Sequence, residues 1–138
     1  DRLIAVNIKG VFVATQEAVR HLGDGGRIIM IGSVNSDLVP FPGGSVYALT
    51  KAAVAGFTRG LARDLGPRGI TVNNIQPGPV DTEMNPADGP FAEGLKKTLA
   101  IQRYGQADEI AGMVSYLASA EASFITGASL KIDGGFTA

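Results

Sequence analysis

The sequence predicts an α/β fold in which helices cover a parallel β-sheet. Segments with apolar residues at helical spacing alternate with short, continuous apolar runs. Such runs are typical of strands that are covered on both faces, as they are in a parallel sheet. Turn-forming residues, 19 Gly and 7 Pro in 138 residues, separate these segments from one another.

The first half of the chain predicts a helix, a strand and a second helix. Residues 1–22 predict a helix because apolar or small side chains recur at intervals of three and four: Ile4, Ile8, Val11, Thr15, Ala18 and Leu22. Residues 27–31 form an apolar run between glycines and predict the first strand. Residues 45–65 predict the second helix, with an apolar residue at every fourth position: Leu49, Ala53, Phe57, Leu61 and Leu65.

The second half predicts two more strands and another long helix. Residues 70–75 read as a strand that ends before the turn at residues 77–79. Residues 79–104 are the least regular, and we expect a loop there with one short helix near residues 91–99. A helix follows at residues 108–119, with Asp108 and Glu109 favourably placed in its positive first turn. The last strand is predicted at residues 129–132.

Composition excludes several classes of function. The chain has 12 Lys and Arg against 13 Asp and Glu, a net charge of −1, so it lacks the basic excess of nucleic-acid or membrane-surface binders. With no Cys and a single His, it cannot build thiolate or His-rich metal sites. No apolar run reaches the ~18 residues of a membrane span. No signal peptide is recognisable, and we expect a single-domain cytoplasmic protein.

Tyr47 and Lys51 form the first candidate for chemistry. A spacing of four residues stacks both side chains on one helical face. An ordinary phenol ionises near pH ~10, and a neighbouring ammonium stabilises its ionised form. The pair could therefore serve as a general acid and base. The alternative is a solvated lysine beside a half-buried tyrosine, and this spacing alone does not decide between them.

Ser33 adds weight to the catalytic alternative. It lies just past the end of the first predicted strand, where α/β sheets place their ligands. A hydroxyl at a strand end and a phenol on the next helix can converge on one carbonyl oxygen. The alternative role for Ser33 is that of a turn or helix-capping hydroxyl.

These segments together resemble the short-chain dehydrogenase/reductase family, over essentially the whole chain and in the family's order. The resemblance implies a Rossmann-type doubly wound parallel sheet, of which residues 1–138 are the carboxy-terminal part with three strands and their helices. The matching segments are Val6-Asn7-Ile8-Lys9-Gly10, Ser33, Tyr47-Ala48-Leu49-Thr50-Lys51, Pro77-Gly78, Arg103-Tyr104-Gly105, Asp108-Glu109-Ile110-Ala111, Ile125-Thr126-Gly127 and Ile132-Asp133-Gly134-Gly135.

The resemblance also implies catalytic roles. Tyr47 would exchange a proton with the substrate oxygen, and Ser33 would hold that oxygen. Lys51 would assist Tyr47, and both residues would bind the cofactor, Lys51 at the nicotinamide ribose. Asn7 would bend its helix so that a backbone carbonyl holds a water linked to Lys51. The substrate would be a small carbonyl compound or secondary alcohol, and the reaction an NAD(P)-dependent reduction or oxidation.

The turn that begins at Pro77 and Gly78 is expected to bind the cofactor. The backbone at Val80 would hold the nicotinamide carboxamide, and Thr82 would reach a phosphate. The cofactor would be NADP or NAD, with NADP slightly favoured. The family's Gly-rich phosphate turn and its coenzyme-selecting residue belong to an amino-terminal half that these 138 residues lack. We therefore expect the 138-residue chain by itself neither to fold stably nor to bind a dinucleotide tightly.

Other motifs resemble a bacterial subgroup of the family, and they leave alternatives open. Many members of that subgroup are 3-oxoacyl-acyl-carrier-protein reductases, and one binds cyclic-di-GMP. The alternatives to an enzyme are thus a cyclic-di-GMP-binding signalling protein with little turnover and an inactive truncated product. The resemblance further implies a homodimer or homotetramer. Met84 and Phe91 could belong to the core or to a lid over the substrate. The subgroup motifs are Gly32-Ser33-Val34-Asn35 followed by Asp37, Gln76-Pro77-Gly78-Pro79-Val80-Asp81-Thr82, and Asn85-Pro86-Ala87 before Gly89-Pro90.

Overall fold

Helices and strands alternate along the whole chain. The computed structural model describes all 138 residues. The helices are α1, which consists of α-helical Arg2–Ile4, π-helical Ala5–Gly10 and α-helical Val11–His21, then α2 at Ser45–Leu65, α3 at Ala92–Lys96 and α4 at Ala107–Ala118. The strands are β1 at Arg27–Ile31, β2 at Thr71–Pro77 and β3 at Ser129–Ile132. Single 3₁₀ turns lie at Val34–Ser36, Gly66–Arg68 and Ala120–Ala122.

The three strands form one parallel sheet in the order β1-β2-β3, which confirms the predicted sheet. Strand β2 is central, and its residues 71–76 are all buried. Its register places Ile75 beside Ile31 of β1 and beside Leu130 of β3. Parallel strands that lie side by side bring their carboxyl ends to one edge of the sheet. Ser33, which follows β1, and Gly78, which follows β2, therefore start from the same edge.

Helices pack on both faces of this sheet, as expected for a doubly wound fold. On one face, Ala62 and Leu65 of α2 pack with Val72 of β2, and Val19 and Leu22 from the end of α1 join them. On the other face, α4 contributes a fully buried Leu117, packed against Ile75 of β2 with Ile29 and Leu130 nearby, so the sheet separates two apolar layers. None of the helices has both the length and the apolar character needed to cross a bilayer.

The residues that α2 buries are not those that the sequence predicts from the apolar residue at every fourth position. Leu49 is 56% exposed, whereas the buried positions begin one residue later: Thr50, Val54, Ala55, Thr58, Ala62 and Leu65. Small and β-branched side chains occupy that face because the helix lies close to the sheet. The larger Phe57 turns towards α1, where its ring centroid lies 5.9 Å from that of Phe12.

The first helix also departs from its predicted pattern. Ile4, which was expected on the buried face, is 40% exposed, while Thr15 is buried. Between these two residues lies the π-helical turn at Ala5–Gly10, which contains one residue more than an α-helical turn. That extra residue rotates the side chains before the turn by about 100° relative to those after it.

Candidate active site

Ser33 lies at the carboxyl edge of the sheet, two residues after β1. It is extended, with φ of −167° and ψ of 152°, and it caps the following 3₁₀ turn. Its Oγ accepts a hydrogen bond from the backbone N–H of Asn35 and donates one to Asn35 Oδ1, both at 3.1 Å. The side chain is buried, with 8% exposure for the residue. Ser33 therefore caps a turn, which was one of the two roles considered for it. It also lies at the carboxyl end of β1, where the other role, contact with a substrate oxygen, requires it to be.

Lys51 connects α2 to the same edge. Its ammonium donates a hydrogen bond to the carbonyl oxygen of Ile31, the last residue of β1, at 3.2 Å. Nζ also lies 5.6 Å from the centroid of the Tyr47 ring, one turn earlier on α2. Partial burial lowers the pKa of Lys51, because desolvation disfavours the charged ammonium. The spacing of four residues thus places the Tyr47 ring beside a partly desolvated cation, as the sequence predicts.

Asn7 reaches the same region from α1. It lies within the π-helical turn, so the helix is irregular at this residue. Asn7 Nδ2 donates to Thr50 Oγ1 at 3.3 Å, and Thr50 Oγ1 donates to the carbonyl oxygen of Tyr47 at 2.8 Å. Asn7 is therefore linked to Tyr47 through Thr50, a fully buried residue that sequence reasoning did not single out. A β-branched hydroxyl inside a helix, next to Lys51, was the available signal.

The segment after β2 leaves its backbone open at Val80. The carbonyl of Pro79 accepts from the N–H of Gly105, and the N–H of Asp81 donates to the carbonyl of Gly105, both at 2.9 Å. In an extended chain, the backbone groups of the intervening residue point the opposite way. Neither the N–H nor the C=O of Val80 forms a hydrogen bond with the rest of the chain. This geometry suits a planar amide that needs one donor and one acceptor.

Pro77, Gly78 and Thr82 lie close to Val80 in sequence, and each makes a different contact. Pro77 is the last residue of β2 and pairs in register with Ile132. A Cβ on Gly78 would lie 2.7 Å from both Cα and Cβ of Asp133, so the close approach of the residue that follows β3 requires glycine there. The hydroxyl of Thr82 accepts a hydrogen bond from the N–H of Asn85 at 3.3 Å, which leaves its own proton available to a ligand.

Further along the loop, two apolar side chains project outward. Met84 is 93% exposed and Phe91 is 84% exposed. Neither belongs to the core, and their role as a lid over the substrate stays a prediction. The short helix α3 lies between Phe91 and Leu99, and Ala92 and Leu99 pack with Tyr104 beneath the loop.

Ser33 and Lys51 both lie at the carboxyl end of β1, Tyr47 adjoins Lys51, and Asn7 is joined to them through Thr50. No hydrogen bond links Ser33 directly to Tyr47 or Lys51, and the Tyr47 hydroxyl has no partner within the chain. An unpartnered phenol beside a partly desolvated ammonium is suited to exchanging a proton with a bound ligand. Pro77, Gly78, Val80 and Thr82 belong to the loop that leaves the neighbouring strand.

The fold is of the doubly wound α/β class, and comparison with known proteins gives the family. A family model described as enoyl-(acyl carrier protein) reductase matches residues 1–137. The chain belongs to the short-chain dehydrogenase/reductase family, which confirms the resemblance drawn from the motifs.

Three relatives illustrate the similarity. The cyclic-di-GMP-binding biofilm dispersal mediator protein of Escherichia coli K12 is 54% identical over 138 residues, which are 100% of this chain and 58% of that protein. A short-chain dehydrogenase/reductase from Serratia marcescens is 65% identical, with a TM-score of 0.98, over 100% of this chain and 56% of that one. A structure of BdcA in complex with NADPH is 54% identical, with a TM-score of 0.96, over 99% of this chain and 56% of that one. The chain thus spans slightly more than half the length of these relatives.

Proposed function

We propose that this chain forms part of an NADP(H)-dependent oxidoreductase that interconverts a carbonyl compound and a secondary alcohol, with 3-oxoacyl thioesters as the substrate class. The observation that carries the proposal is the position of Lys51, which is bonded to the end of β1 and adjoins a Tyr47 hydroxyl with no partner in the chain. NADPH in the BdcA structure supports the choice of cofactor.

The residues present fit such a cofactor. The open N–H and C=O of Val80 would bind the carboxamide of the nicotinamide, and the hydroxyl of Thr82 would bind a phosphate. The ammonium of Lys51 would bind the ribose beside the nicotinamide. When bound, the reduced nicotinamide supplies a hydride to the carbonyl carbon. The protein's task is then to orient the substrate and to deliver one proton to its oxygen.

Tyr47 and Ser33 carry out that task. As the carbon accepts the hydride, the electron pair of the C=O bond moves to the oxygen, which takes the proton of the Tyr47 hydroxyl. The resulting phenolate is stabilised by the adjacent ammonium of Lys51, because charges interact more strongly in a partly desolvated site than in water. Ser33 donates its proton to the substrate oxygen instead of to Asn35 Oδ1, so one hydrogen bond replaces another. In the oxidative direction each proton moves the opposite way.

The test is Tyr47→Phe in the full-length protein, with NADPH oxidation by ethyl acetoacetate followed at steady state. Loss of the phenolic proton should reduce kcat by about 10²–10⁴-fold. The Kd for NADPH, measured by fluorescence titration, should stay within about twofold, because the ring and Lys51 remain in place. An unchanged kcat contradicts the assignment of the proton donor.

A signalling protein that binds cyclic-di-GMP with little turnover is the second candidate. The identity of 54% to the Escherichia coli biofilm dispersal mediator favours it. Calorimetry on the full-length protein separates the two functions. Heat of binding with cyclic-di-GMP and no NADPH oxidation supports the signalling function, whereas steady turnover with no such heat supports the enzyme.

We further propose that the full-length protein is a homodimer or homotetramer. Apolar side chains on α1 and α2 are exposed in the single chain, among them Phe12 and Val13, each 48% exposed, and Leu49. Next to them lies a groove of about 180 Å³ between α1 and α2, lined by Ala53 and Phe57 among others. Light scattering that shows a monomer would exclude this assembly.

A further inference from the structure

A buried amide lies beneath the loop that carries Ser33. Gln76 is on the central strand β2, immediately before Pro77, and only 1% of it is exposed. A buried amide is costly unless it forms hydrogen bonds. Gln76 Nε2 donates to Ser36 Oγ at 2.6 Å, while its Oε1 has no partner within the protein. The single contact of this amide is thus directed at the loop after β1.

Ser36 transmits that contact to Ser33. Its backbone N–H donates to the carbonyl oxygen of Ser33 at 3.1 Å, and its Oγ lies 2.9 Å from the same oxygen and 3.0 Å from Asp37 Oδ1. A hydroxyl has one proton to donate, so acceptance from Gln76 leaves that proton for either Ser33 or Asp37. The other carboxylate oxygen of Asp37 lies 3.3 Å from the ammonium of Lys131 on β3.

Ser33 is consequently held between two points on the same strand. Before it, the N–H of Gly32 donates to the carbonyl oxygen of Ile75 at 2.7 Å. After it, Ser36 is bonded to the side chain of Gln76, the next residue along β2. Both anchors, Ile75 and Gln76, lie in the buried part of the central strand.

We infer that Gln76 is a positioning residue for Ser33, acting through Ser36 to hold the Ser33 hydroxyl where it can bond the substrate oxygen. This inference rests on the proposed function, because it needs Ser33 to touch the substrate. Gln76 itself touches neither substrate nor cofactor. Its contribution is geometric, and a displacement of about 1 Å at a reacting group can cost as much as about 10²-fold in rate.

The test is a double-mutant cycle in the full-length protein, with NADPH and ethyl acetoacetate as the probes. Gln76→Met keeps the length of the side chain and removes the donor. We expect kcat to fall about tenfold, with the Kd for NADPH within about twofold of the parent. In a Ser33→Ala background the same change should alter kcat by less than about twofold, because the hydroxyl that it positions is gone.

A matched control separates positioning from stability. Asn73→Ala removes another buried amide of β2, one that bonds Ile125 and Ala128 on the far side of the sheet from this loop. It should lower Tm and leave kcat unchanged. If Gln76→Met fails to fold, Ser36→Ala cuts the same link from the loop side, and Ser36→Thr, which retains the hydroxyl, should restore most of the rate.

The outcomes distinguish the inference from the function on which it depends. An equal loss of kcat from Gln76→Met with and without Ser33 overturns the positioning role and leaves Ser33 as a substrate contact. An unchanged kcat in the Gln76→Met protein also overturns it. If Ser33→Ala alone leaves kcat at the parent value, the proposed role of Ser33 fails, and the inference fails with it.

Discussion

Substituting Gly78 by alanine gives a sharp test of how the chain just after β3 fixes the segment of residues 78–80, which is proposed to bind the cofactor. The new Cβ would lie 2.7 Å from Cα and Cβ of Asp133, where carbon atoms normally approach to about 3.5–4.0 Å. Because one of the opposing atoms belongs to the backbone, either the chain at Asp133, just after β3, or the segment after β2 must move by about 1 Å. Overpacking of this kind costs about 1–3 kcal/mol. For a protein of 150–250 residues, that lowers Tm by about 2–12 °C.

The assay is thermal unfolding of the full-length protein, together with NADPH titration. Movement of this segment should also displace Val80, so we expect the Kd for NADPH to rise as Tm falls. Gly94→Ala is the matched control, because nothing lies within 4 Å of its added Cβ. Alanine there should leave Tm unchanged or raise it, since glycine is the poorer residue inside a helix. A Tm within about 1 °C of the parent for Gly78→Ala, with the Kd unchanged, would refute the reasoning.

Two further predictions concern the links between elements. Thr50→Val removes the hydroxyl that joins Asn7 to the carbonyl of Tyr47. We expect the free energy of unfolding to fall by about 1 kcal/mol and kcat to fall as well. Thr50→Ser, which keeps the hydroxyl, is the control and should restore both. Glu109 has its pKa lowered to about 2 by the hydrogen bond from the Arg103 side chain, aided by the N–H of Gln106. The unfolded chain therefore binds more protons between about pH 2 and the ordinary pKa of 4.5, and stability falls as the pH drops through that window. In Glu109→Gln, the decline of Tm between about pH 5 and about pH 3 should be smaller than in the parent, and an identical decline would contradict the assignment.

The sequence predicted the elements well because each has a strong local signal. The apolar run at Arg27–Ile31 and the helical spacing within Ser45–Leu65 reflect burial that any parallel sheet with flanking helices imposes. Strand β2 extends past its predicted end to Pro77, because β3 still pairs with it there. Residue propensities cannot predict this extension. Proline has no N–H to donate, so whether it can pair within a sheet depends on the strand beside it.

The features that escaped prediction all depend on residues that are distant in sequence. The resemblance implied that the helix bends at Asn7, but no local pattern shows that the bend is a π-helical turn or that the Asn7 side chain bonds Thr50 on α2. Nor does the sequence reveal that Gln76 supports the loop of Ser33 from the neighbouring strand. The types and spacing of Ser33, Tyr47 and Lys51 suggested a shared site, and their catalytic roles stay predictions until the variants are measured.

The open backbone at Val80 has a consequence for variation and engineering. Groups of the main chain are the same in every residue except proline, so recognition through them is insensitive to the identity of the side chain. Most substitutions of Val80 should therefore leave the Kd for the coenzyme nearly unchanged. Proline should be the exception, because it removes the N–H. Attempts to retune the nicotinamide end of the pocket would therefore have to alter the path of the chain, through Gly105 or the turn before it.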